Sequence, residues 1–166
     1  MTDNSQYLKT HLENVIAAER NFEDVLSRFS SEGEQDDVKE MFAQLSAKAR
    51  TQHQRLEGRL RELGESPSTL KSAIAHVLAA TPLVAQAGQT PQEKNTQHLI
   101  ITYAAAAAEM AMYEALATVS HTAGDFTTEQ LARQLQAEEK EDHSIVWAML
   151  GSSARRSFGQ ATQQPD

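Results

Sequence analysis

Four long stretches repeat apolar residues at the three-and-four spacing of a helix face. The lengths of chain between them restrict the fold more than any other property of the sequence. In the first stretch Leu8, Leu12, Val15, Ile16, Phe22, Leu26 and Phe29 predict a helix from about Ser5 to Ser30, ended by the polar run SSEGEQDD. Val38, Met41, Phe42, Leu45, Ala49, Leu56, Leu60 and Leu63 predict a second from about Asp37 to Leu63, with Gly64 in the usual C-terminal capping place. A third opens on Thr90-Pro91-Gln92-Glu93, where Thr caps, Pro takes the first helical position and Glu closes a capping box; it should run to Ala123 and stop at Gly124. Another capping box, Thr127-Thr128-Glu129-Gln130, opens a fourth, with a stripe of Leu131, Leu135, Ile145, Val146 and Met149 and an end near Gly151. No window alternates with the period of two that marks a half-buried strand, so the fold class is all-α.

Only a few residues separate the first helix from the second and the third from the fourth, so each pair must be antiparallel neighbours. Residues 65–90 are different, being long enough to cross a full bundle, and LKSAIAHVLAA within them predicts a short extra helix. Two antiparallel pairs joined by one long crossover is the ferritin-like four-helix arrangement. The expected organisation is one bundle domain over residues 1–151 and a disordered tail over 152–166, SSARRSFGQATQQPD.

The composition excludes several classes of function. With 166 residues and 40% apolar content the chain can bury a core without a disulfide or a structural metal. The 23 acidic against 15 basic residues, a net charge of -8, leave no basic cluster dense enough for nucleic acid. Zero cysteines exclude thiol nucleophiles and thiolate ligands, so any metal must be held by carboxylates and imidazoles. The N-terminus MTDNSQYLKTHLEN lacks the pattern of a signal peptide, which predicts a cytoplasmic protein. Leu99 to Ala117 approaches membrane-spanning length, but it is mostly alanine and carries Glu109 and Glu114, so it reads as a core helix and no membrane is expected. The six histidines form no triad with Ser and Asp, and hydrolase or transferase chemistry has no support.

Polar residues interrupt every apolar stripe at about mid-length. Glu19 is in line with Val15, Ile16, Phe22 and Leu26, and Glu109 shares a face with Ala105, Ala106, Met112, Tyr113 and Leu116. In the fourth helix the stripe passes through Glu138 and Asp142, with Glu139 and His143 one step to the side; in the second it passes through Gln52, with His53 beside it. Tyr113, one turn after Glu109, is placed to anchor a core carboxylate by a hydrogen bond. The alanines of AAAAAEM give either clearance for close helix packing or a dimer contact. A buried isolated carboxylate costs several kcal/mol, which leaves three readings of this layer. A metal ion, iron or else manganese or zinc, could satisfy several acids at once. Lys48 or Arg50 could take the metal's place, since the second helix has no acid between Glu40 and Glu57. Or the acids could sit at the rim in water.

AAERNFEDVL in the first helix resembles the Ala-Glu-Lys-Gln-Leu type of signature in the YciE/YciF ferritin-like proteins, a bacterial family linked to stress responses. QRLEGRLRELGESPS, AEMAMYEAL followed by AGD, and LQAEEKED continue the resemblance in order over roughly residues 5–150. It implies a ferritin-like bundle, commonly a homodimer, with a di-iron-type site. Carried over by position, the ligands fall on Glu19, Glu109, Glu138 and Asp142, with His53 or His143 completing the shell. The second helix departs from the pattern. Its acidic position falls on Lys48 or Ala49 and its His or Gln position on Gln52, so the implied two-metal site is incomplete there. A non-catalytic structural or interaction protein with a decayed, metal-free site is the alternative.

Overall fold

The computed structural model describes residues 2–66 and 93–161. They form four helices: α1 (Thr2–Ser31), α2 (Asp36–Glu62), α3 (Lys94–Ala123) and α4 (Phe126–Ala161). The ends of α2 and α3 follow the glycine rule. Gly64 and Gly124 take the left-handed conformation, φ 82° and 74°. In each, the next N–H reaches back five residues, Glu65 to the Leu60 carbonyl and Asp125 to the Ser120 carbonyl, so the last carbonyls are satisfied. The cap of α4 is Asp125, not Thr127. Its carboxylate accepts the Thr128 N–H at 3.1 Å and the Thr128 hydroxyl at 2.6 Å, and Arg59 of α2 clamps it at 2.8 Å. The predicted box at Thr90 and the short helix in residues 65–90 fall largely outside the described residues. Residues 152–161 of the expected disordered tail are helical instead: α4 continues unbroken to Ala161. Ser153 and Ser157 are buried there, and Gln35 of the α1–α2 turn donates to the Ser153 carbonyl at 3.4 Å.

Cross-helix contacts set the topology. Lys9 with Glu65, Arg20 with Glu57 and Arg50 with Glu23 make α1 and α2 antiparallel. Thr96 with Ser153, Tyr103 with His143 and Arg133 with Glu114 do the same for α3 and α4. The end of α2 meets Asp125 just past the end of α3, whereas the start of α3 meets the α1–α2 turn. There Asn95 Oδ1 accepts the N–H groups of Glu34 and Gln35 at 2.8 and 3.0 Å. Gly33, with φ 84°, allows this approach, because a Cβ would stand 2.4 Å from Asn95 Oδ1. The chain therefore leaves α2 at one end of the bundle and enters α3 at the other, the two-pair arrangement its connection lengths predict.

The core is divided. One apolar half contains Phe22, Leu26, Phe29, Phe42, Leu45, Leu99 and Val146. The other contains Leu12, Ile16, Leu56, Leu60, Leu116, Ala132 and Leu135. Each large aliphatic side chain so buried contributes ~1.5–3 kcal/mol, which is what offsets the cost of the polar layer between the halves.

Candidate metal centre

Every helix places a buried polar side chain between the apolar halves: Glu19 from α1, Gln52 from α2, Glu109 from α3, and Glu139 with Asp142 from α4. The spacing explains why. Glu19 is flanked in phase by Ile16 and Phe22, Gln52 by Ala49 and Leu56, Glu109 by Ala106 and Tyr113, and Glu139 by Leu135 and Val146, all buried. No rotation of a helix turns these groups to water without exposing the core residues on either side. Of the five alanines before Glu109, Ala106 is buried while Ala104 and Ala107 are exposed, so the run gives clearance on one side only.

The three glutamates converge. One carboxylate oxygen of each lies within 4.8 Å of the other two. The Tyr113 hydroxyl donates to Glu19 Oε1, which fixes that carboxylate and leaves its second oxygen for the cluster. Glu19 Oε2, both oxygens of Glu109 and Glu139 Oε2 are buried with no hydrogen-bond partner among the described residues. Burial above all, and then the charges of Glu19, Glu139 and Asp142, hold the Glu109 carboxyl well above the usual range. Burial and the Glu139 charge do the same to Glu19 against the pull of Tyr113. Glu139 is pushed up to about 7 by burial and by Asp142, with Gln52 and Lys48 acting in the opposite sense.

Neither of the acids expected as the ligand pair of α4 belongs to the converging trio. Glu138 is half-buried at the α2–α4 seam, where Arg55 binds it at 2.9 Å and the Gln52 amide approaches at 3.4 Å. Asp142 is buried and paired with Lys48 at 2.8 Å; burial still outweighs the ammonium and leaves its carboxyl raised. Glu139 thus stands where Glu138 is expected. The inward stripe of α4 is Ala132, Leu135, Glu139, Asp142 and Val146, while Ile145 is 48% exposed. Reading Ile145 as core turns the helix by one position and brings Glu138 inward in place of Glu139; the alternate three-and-four spacing from Ala132 to Val146 is the signal that corrects it.

Neither predicted histidine joins the cluster, nor does any other among the described residues. His53 has Nδ1 3.4 Å from Glu23 Oε2, on the α1–α2 side, and burial lowers its pKa. His143 stacks on Tyr103 with ring centroids 3.7 Å apart. His98 is buried and stacked on Phe29 at 3.8 Å, inside the apolar half, where burial lowers its pKa to about 4. Arg50 pairs with Glu23 away from the layer, at 2.6 Å.

Two antiparallel helix pairs with a carboxylate layer across their middle define a ferritin-like protein. The chain belongs to the DUF892 family, described as a domain of unknown function, whose model matches residues 3–157. Similar solved structures include the stress protein YciF of E. coli, with a TM-score of 0.82 and 13% identity over 94% of this chain and 99% of that one. A protein of Xanthomonas campestris pv. campestris has a TM-score of 0.80 and 19% identity, covering 96% and 99%. A ferritin-like, diiron-carboxylate protein of Bacillus anthracis has a TM-score of 0.73 and 14% identity, covering 90% and 99%. These likenesses show the fold and bear out the YciF-type resemblance of the sequence. No curated protein matches the chain by sequence alone.

The donors fit one hard cation: three carboxylates, four unpartnered oxygens and no sulfur. They do not make a two-metal complement, in which every helix gives an acid and two give a histidine. The described part of α2 brings Gln52 to the layer and commits Lys48 to Asp142.

Proposed function

We propose that the protein is a ferritin-like metal-binding protein whose centre holds a single hard metal ion, iron or manganese, on Glu19, Glu109 and Glu139. The observation that carries this is Glu109. Both its oxygens are buried without a partner, and no basic side chain is bonded to it among the described residues. A buried carboxylate in that state must be neutralised by a proton or a metal, and a cation shared with Glu19 and Glu139 satisfies three acids together. When bound, such an ion supplies Lewis acidity or one-electron redox chemistry. The chain's own part is positional. Tyr113 holds Glu19 by its hydroxyl, Gln52 lies at the layer from α2, and the apolar halves keep bulk water from both sides.

A second reading, a metal-free helical protein whose acids are neutralised by α2, is favoured by the Lys48–Asp142 and Arg55–Glu138 pairs. Those pairs reach two acids and leave the three central ones. Elemental analysis of protein purified without chelator separates the readings. About one iron or manganese per chain, lost in Glu19→Gln and Glu109→Gln, supports the metal centre; none bound even after metal is added overturns it. A homodimer and a stress-related role, the latter by likeness to the stress protein YciF, belong to the same proposal, and size-exclusion chromatography tests the first.

A further inference from the structure

We propose that the Lys48 ammonium is a built-in second cation of the centre, and that it limits the site to one metal ion by occupying the half that a second ion would use. This rests on the one-ion reading above. Lys48 is one turn before Gln52 on α2, and Asp142 is one turn after Glu139 on α4. The Lys48–Asp142 pair therefore stands directly alongside the three-glutamate cluster. The ammonium donates to Asp142 Oδ1 at 2.8 Å and to the Glu138 carbonyl oxygen at 3.2 Å, two oxygens of the kind a hard cation takes. Asp142 is 7% exposed, and Lys48 is its one ion-pair partner among the described residues. Because the Lys48 side chain is 31% exposed, its stem reaches in from the rim and its removal leaves the apolar core intact. The α2–α4 contact is also less extensive than those of α1 with α2, α3 with α4 and α1 with α3. A tethered monovalent charge pairs with Asp142 and only partly offsets the neighbouring Glu139. Without it, Asp142 becomes a second buried acid beside Glu139, and the two can hold another oxygen-ligated ion next to the first.

The test uses the full chain, stripped with chelator, desalted and titrated with manganese(II). Bound manganese per chain is measured by elemental analysis and by electron paramagnetic resonance, since ions in a paired site, about 3.5–4 Å apart, couple magnetically. The expected result is one uncoupled ion in the unaltered protein and in Lys48→Arg, and two coupled ions in Lys48→Ala. Lys48→Gln, which keeps a hydrogen-bond donor but no charge, should also bind two and serves if Lys48→Ala does not fold. A single ion in both Lys48→Ala and Lys48→Gln overturns the role of the lysine while leaving the three-glutamate reading standing; two ions in the unaltered protein overturn the one-ion reading together with it. No ion in the unaltered protein overturns both.

Discussion

Glu109 and Asp142 lie in the same polar layer, both buried, yet only one of them meets a cation. Asp142 faces α2, from which Lys48 reaches it at 2.8 Å. Glu109, on α3, faces Glu19 and Glu139, and its oxygens have no hydrogen-bond partner among the described residues. α2 governs the centre. Its lysine and Arg55 quench the acids on the α2 side of α4, and what they do not reach is a three-carboxylate cluster in need of an external cation. Desolvation decides the balance. Burial is the largest influence on Glu19, Glu109, Glu139 and Asp142 alike, and only for Asp142 does a bonded ammonium oppose it directly.

The largest expected effect separates the two acids by ligand. Manganese(II) at a thousand times its dissociation constant should stabilise the protein against denaturant by about 4 kcal/mol. Glu109→Gln should abolish that gain. The same substitution should stabilise the metal-free protein by about 1–3 kcal/mol, since it removes a buried acid that has no hydrogen-bond partner among the described residues. Metal-free Glu109→Gln that is less stable than its parent breaks the comparison.

A second test uses pH. Glu139 is raised from 4.5 to about 7 in the folded chain, so the folded state keeps a proton that the unfolded state has already lost. Its contribution is fully present below about pH 4.5 and is lost as pH rises through 7. Metal-free protein should lose on the order of 3 kcal/mol across that window from this group. Denaturant titrations at successive pH values measure the loss, and Glu139→Gln should flatten the curve. Smaller still, Lys48→Ala should destabilise the metal-free protein by about 1–2 kcal/mol by leaving Asp142 unpaired, opposite in sign to Glu109→Gln. The histidines set the lower bound. His143→Ala should cost about 1 kcal/mol through the lost Tyr103 stacking, and neither it nor His53→Ala should change bound metal by elemental analysis.

Much of this was legible because the residues that set it act locally. Gly64 and Gly124 end helices through their own φ, and the apolar stripes of α1, α2 and α3 fix which side of each helix is buried. Glu19 and Glu109 could be found because each interrupts an unambiguous stripe. Glu139 could not be separated from Glu138, because AEEKED offers acids at four of its six positions and, of the flanking apolar residues, Leu131 is only partly buried and Ile145 is exposed. The tertiary fit chose Val146 over Ile145 and thereby chose the acid. The continuation of α4 past Gly151 was hidden for a related reason. Its inward residues there are Ser153 and Ser157, which bond to Thr96 across the bundle at 2.9 and 3.0 Å, so no apolar stripe marks it. The side chain of α2 that bears most on the centre, Lys48, was visible as a departure from the expected acid. Which acid it binds depended on the phase of α4.

Whether one ion is held between Glu19, Glu109 and Glu139 is decided by anomalous diffraction from crystals grown with manganese(II), at its absorption edge. One anomalous peak per chain is expected within about 2–2.5 Å of oxygens from all three glutamates, with Lys48 still on Asp142. No peak in the layer, or a peak on Glu138 and Asp142 with Lys48 displaced, would contradict it.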